Sequence, residues 1–111
     1  MSNNKFRIYD KQLKKMCYFT LSNANNYASL GYPIDQYLGQ SDRNGIDMYE
    51  NDIASAYSKN GHECVLGKIV FEGYEYTIET TDHMWPSASF VVLEEFEVLG
   101  NIYEDSELLE V

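Results

Sequence analysis

The feature that most constrains this chain is a period of two. In Tyr74-Glu75-Tyr76-Thr77-Ile78-Glu79, the residues Tyr74, Tyr76 and Ile78 fall on one side and Glu75, Thr77 and Glu79 on the other. That alternation belongs to a half-buried strand and not to a helix. Just upstream, Cys64 to Phe71 is rich in β-branched residues and ends at Glu72-Gly73, a turn signal, so the two runs read as a hairpin. Asn60-Gly61 offers a second tight turn, because glycine tolerates φ > 0. It links the hairpin to a strand over Asp52 to Tyr57, and the three strands form a meander.

Further strands are expected at Phe6 to Tyr9, Met16 to Thr20, Ser89 to Leu93 and Phe96 to Tyr103. With 111 residues, 44% hydrophobic and 14% aromatic, the chain has material for one packed core and is not a disordered acidic tail. The expected architecture is a single domain, mainly β with α+β as the alternative: a small, strongly bent antiparallel sheet or SH3-like barrel with short helical turns. Its parts would be an N-terminal hairpin over about 1–20, an irregular loop over about 21–36, a β core over about 37–104 and a helical turn over about 105–111. Leu21 to Tyr32 is the segment expected to move most, and Asp82 to Pro86 breaks the strands, since proline removes a ladder donor.

Charge is unevenly spread. The formal net charge is -10, yet Lys5, Arg7, Lys11, Lys14 and Lys15 stand together near the start, and from Glu72 onward there are acids but no Lys or Arg. A general nucleic-acid binder needs a basic footprint, so direct nucleic-acid binding is not expected. An acidic face that docks on a basic protein surface fits better. No stretch reaches the roughly 20 apolar residues that span a bilayer, and the N-terminus lacks a signal-peptide core, which places the expected protein in the cytoplasm without a membrane partner.

Cys17 and Cys64 lack a C-x-x-C pairing and are expected as buried free thiols. Together with His62 and His83 they could supply four zinc ligands, but the spacing is poor and no metal or other cofactor is expected. No P-loop, dinucleotide fingerprint or nucleophile elbow occurs, so no catalytic residue is assigned and no enzymatic activity is expected.

Three ordered segments carry a family resemblance: Lys5-Phe6-Arg7-Ile8-Tyr9-Asp10-Lys11 through Met16, Tyr37-Leu38-Gly39 through Ile53, and Glu97 through Leu109. They resemble the YopX family of phage and prophage proteins, with Tyr9 where the family has Trp and Asn51 where it has Gly. Asn is the next best residue at φ > 0, so that exchange leaves the fold intact. The resemblance implies a phage or prophage protein working in the host cytoplasm as a homo-oligomer, and it implies no established activity. Arg7, Asp10 and Glu50 match the family either for function or for a buried ion pair.

Binding is the expected role. The leading expectation is a non-enzymatic accessory protein that counteracts an antiphage defence by binding a host protein, for instance a nuclease, through Trp85, Asp82, Glu94, Glu95, Glu97 and Tyr37. The alternative is a homo-oligomeric sponge for a small nucleotide signal, held by Lys5, Arg7, Lys11 and Tyr9. A nucleic-acid-binding accessory module is the weaker alternative.

Overall fold

The computed structural model describes residues 5–20, 31–61, 63–81 and 87–110. It is mainly β, as the period of two predicts, and the strands curl into a half-barrel made of two antiparallel sheets. Strands β1 (Lys5–Asp10), β2 (Lys15–Thr20), β3 (Ile34–Ser41) and β4 (Asp47–Tyr49) form the first sheet in the order β2-β1-β3-β4. Strands β5 (Asp52–Ser58), β6 (Cys64–Phe71), β7 (Tyr76–Thr80), β8 (Ser87–Ser89) and β9 (Leu93–Asn101) form the second in the order β8-β7-β6-β5-β9. The only helical pieces among the described residues are 3-10 turns, and none is long and apolar enough to cross a membrane.

The β5-β6-β7 meander stands where the sequence puts it. Gly61 turns the first hairpin at φ +94° and Gly73 the second at φ +80°. Within β6, Gly67 answers a different need. The β7 backbone passes so close that an added Cβ would overlap the Glu79 carbonyl.

The core is gathered from both sheets. Leu38 and Met48 of the first sheet pack with Ala54 and Ile69 of the second, and Tyr76, Phe90, Phe96 and Val98 close around them. Ala56, Ile78 and Leu93 continue this interior with Val65 and Ala88. Burying such side chains is the main stabilising term, at about 25 cal/mol per Å² of apolar surface.

Four expectations need correction. Tyr74 is an exposed turn residue, because Glu72 N–H bonds the Glu75 carbonyl and β7 starts only at Tyr76; Thr77, expected outside, is buried. Ser89 to Leu93 is not a strand: the Ser89 hydroxyl accepts from the Val91 N–H and caps a 3-10 turn over Phe90–Val92, after which β9 begins. The irregular loop ends earlier than expected, with β3 starting at Ile34. Finally, Cys17 is half-buried and Cys64 exposed, although both are free. The mobile segment expected at Leu21 to Tyr32 lies, up to residue 30, outside the described residues.

Candidate functional site: a buried charge seam and an acidic sheet face

On β1 both Arg7 and Ile8 are buried, and Arg7 is 3% exposed. Asp35 stands opposite it in the β1-β3 register, and its Oδ2 accepts from Arg7 Nε at 3.0 Å. Asp52, at the start of β5, pairs with Arg7 Nη1 at 2.8 Å, and the Glu50 carbonyl accepts from Nη2 at 3.1 Å. The guanidinium also lies over the Tyr49 ring, 4.8 Å from its centroid. From the far side, Tyr103 Oη and Asn51 Nδ2 each donate to Asp35 Oδ1 at 2.8 Å. Asn51 holds φ +68°, the left-handed conformation expected of the residue standing where the family has glycine.

Two carboxylates facing one guanidinium leave a formal excess of one negative charge in the interior. Burial therefore pushes the Asp52 carboxyl up to about 6, against the pull of Arg7 and of the Tyr49 N–H. The Arg7 guanidinium is pulled down by burial, but Asp52 and Asp35 outweigh that and raise it. Burial lifts the Tyr49 hydroxyl to about 12. The Tyr103 hydroxyl is raised by burial and by its bond to Asp35. Arg7 and Asp52 border a cleft of about 490 Å³ together with Lys5, Tyr18 and Asp47. Both Asp52 oxygens already accept, from Arg7 and from the Tyr49 N–H, so the cluster works as a bolt between the sheets.

A second bolt lies at the β3-β4 turn. Asp42 Oδ1 accepts from Asn44 and Ile46 N–H, which folds the turn, and its Oδ2 accepts from Val98 N–H of β9 at 2.8 Å. Next to it, Arg43 N–H bonds the Phe96 carbonyl. These backbone donors hold the Asp42 carboxyl below the usual range although burial works the other way. A buried ion pair at Arg7 is one of the two expectations, but its partners Asp35 and Asp52, and Tyr103 behind them, lie far along the chain from it. At Asp42 the bonds to Asn44 and Ile46 are local, and the one to Val98 is not.

The outward face of the second sheet follows from the interior. Ala54 and Ala56 point into the core, so Ser55 and Tyr57 point out, and with them their cross-strand partners. Ser55 stands opposite Leu66 and Glu97, and Tyr57 opposite Cys64 and Glu94. Glu95 sits at φ +56° where the β5-β9 register shifts.

Of the expected protein-binding residues, Glu94 and Glu97 thus share one face and Glu95 is exposed at its rim. Tyr37 is not a surface residue: it is 7% exposed and packs on Tyr49, with the Lys5 ammonium over its ring. Trp85 and Asp82, like His62 and His83, lie outside the described residues. Of the nucleotide set, Lys5 and Arg7 border one cleft, but Lys5 pairs with Asp47 at 3.0 Å and Arg7 is held in the seam. Tyr9 stacks on Tyr103 at 5.6 Å, and Lys11 is exposed in the β1-β2 turn. Among the described residues no group of three or more His, Cys, Asp or Glu could hold a metal. The three matched residues have plain roles: Arg7 is the seam cation, Asp10 caps the β1-β2 turn through Gln12 and Leu13 N–H, and Glu50 Oε1 accepts from Gln36 N–H.

Protein EF1440 from Enterococcus faecalis has a similar structure, with a TM-score of 0.60 at 24% identity over 96% of this chain and 97% of that one. YopX from Bacillus subtilis matches with a TM-score of 0.58 at 15% identity, over 97% and 99% of the two chains. At these identities the two structures show a common fold. No curated protein sequence matches this chain. The family model described as YopX protein matches residues 21–110, which includes the central and closing segments of the resemblance and leaves out the opening one. With the larger part of its length matched, the chain belongs to the YopX family.

Proposed function

We propose that this protein is a non-enzymatic phage or prophage accessory protein that acts in the host cytoplasm by binding a host protein through its acidic surface. One observation carries the reading: the charges are sorted. The charged groups of the seam are buried and satisfy one another, whereas Glu72, Glu79, Glu94, Glu95, Glu104, Glu107 and Glu110 are exposed. Among the described residues, only Glu79 of these is paired with a cation, Lys68, at 3.5 Å. Such a surface attracts a partner with a basic groove, and a nucleic-acid-handling defence protein has one. A nucleotide sponge would draw on Lys5 and Arg7, which here face Asp47, Asp35 and Asp52 and offer phosphates a cleft of balanced charge.

The test is native mass spectrometry of the tagged protein recovered from a bacterial host with active defence systems, at a series of salt concentrations. A host protein bound at fixed stoichiometry and released as salt rises supports the reading. A complex indifferent to salt, or a bound mass of a few hundred daltons without a host protein, overturns it.

A further inference from the structure

Among the described residues, the outward face of the second sheet is covered at one end only. Lys68, Ile53 and Gly100 form one row across β6, β5 and β9, and Ile53 in its centre is fully buried. At that end Asp105 abuts Gly100, and the C-terminal 3-10 turn Ser106–Leu109 lies against β6. The next two rows, Leu66-Ser55-Glu97 and Cys64-Tyr57-Glu94, are open, with Tyr57 42% and Leu66 39% exposed. An aromatic ring and an aliphatic side chain thus stand beside two carboxylates on a hydrogen-bonded platform whose β5-β9 register shifts between the two rows. Of the described cations near the platform, Lys68 is paired with Glu79. Lys59, which shares a cleft with Cys64 and Leu66, and Arg43, whose amide bonds the Phe96 carbonyl, stand at its margins and leave Glu94 and Glu97 without an ion pair among the described residues.

We infer that this platform is the docking surface for an arginine-bearing segment of the partner protein, with a guanidinium laid on Tyr57 and paired with Glu94 and Glu97. The inference rests on the proposed binding role and names the partner's chemistry. Charge complementarity calls for a cation, and the geometry selects between cations. Directly opposed strand residues hold their Cβ atoms about 5 Å apart, so a planar group stacked on the Tyr57 ring comes within reach of the Glu94 carboxylate. A guanidinium can stack and form a forked pair with a carboxylate simultaneously, which the compact, strongly hydrated ammonium of lysine cannot. Leu66 and Cys64 take up the apolar residue beside the arginine.

The probes are two nine-residue peptides, alternating Arg-Leu and alternating Lys-Leu, titrated into the 15N-labelled full-length protein and followed through its amide resonances. The expected result is perturbation centred on β5, β6 and β9, with the arginine peptide bound roughly tenfold more tightly than the lysine peptide. Tyr57→Ala or Glu94→Gln should weaken binding roughly fivefold to tenfold. Tyr57→Phe, which keeps the ring, and Gln12→Ala, in the β1-β2 turn of the other sheet, should leave it unchanged. Equal affinity for the two peptides, or perturbation centred elsewhere, overturns the inference. So does a Glu94→Gln, Glu97→Gln double variant that captures the host protein as well as the unaltered chain does. In that last case the salt-sensitive acidic-surface reading survives, so the two failures are distinguishable.

Discussion

The seam and the sheet face both set carboxylates beside tyrosine, and they behave oppositely. In the seam Arg7, Asp35 and Asp52 are each at most 3% exposed and every charge meets a counter-charge or a hydrogen-bond donor. On the face Glu94 and Glu95 are exposed, and among the described residues they meet no cation. Burial is what separates the two. In the interior a carboxylate must be satisfied to be tolerated, and once satisfied it fixes geometry. In water it is solvated at little cost and stays free to meet a partner.

The sharpest way to break this comparison is Arg7→Met, which leaves Asp35 and Asp52 buried without their cation. The expected loss is about 3–5 kcal/mol of stability, read as a lower urea midpoint. Glu94→Gln should shift that midpoint by less than about 0.5 kcal/mol. Next in size is Asp42→Ala, which strands the N–H groups of Asn44, Ile46 and Val98 and should cost about 2–4 kcal/mol in the same experiment.

The third prediction concerns pH. The folded-state value of Asp52, about 6, stands above its ordinary 3.8, so the folded state holds that proton more firmly than the unfolded chain does. Its contribution is fully present below the ordinary value and is lost as pH rises through about 6, amounting to roughly 3 kcal/mol. Asp42 has the opposite sign: its value is lowered, so its contribution is present above 3.8 and is lost as pH falls through its depressed value. Urea unfolding of the unaltered protein and of Asp52→Asn across pH 4.5 to 7.5 should show a downward slope near pH 6 that the variant lacks. A slope of equal size in both would take Asp52 out of the account.

The smallest effect is expected at Glu95. Its φ of +56° is disfavoured for a residue with a Cβ, so Glu95→Gly should leave stability unchanged or raise it by up to about 1 kcal/mol in a thermal melt. The cross-strand pairing of Glu94 and Glu97 should persist.

How far the sequence could be read depended on how local the cause was. Alternation and glycine turns are local, so β1, β2, β5, β6 and β9 lie within a few residues of their expected places. β3 began earlier than expected because Ile34-Asp35-Gln36 reads as polar loop; its buried residue is Asp35, tolerated inside only because Arg7 is there. The seam joins Arg7 to Asp35 and Tyr103 to Asp35 across 28 and 68 positions, and no pattern within one strand announces such a meeting. The acidic face was legible as composition and, at Glu94 and Glu97, as position. Tyr57 and Leu66 beside them were not, because which side of β5 faces out is decided by what packs on Ala54 and Ala56.

The Asp42 bolt also bears on polymerisation. A sheet grows by adding strands at a bare edge, and β9 is an edge of the five-stranded sheet. The Val98 N–H and the Phe96 carbonyl, which an incoming chain would need there, are already taken by Asp42 and the Arg43 amide. A side chain and one amide stand in for a neighbouring strand, and fibre-like extension of the sheet is blocked along that flank.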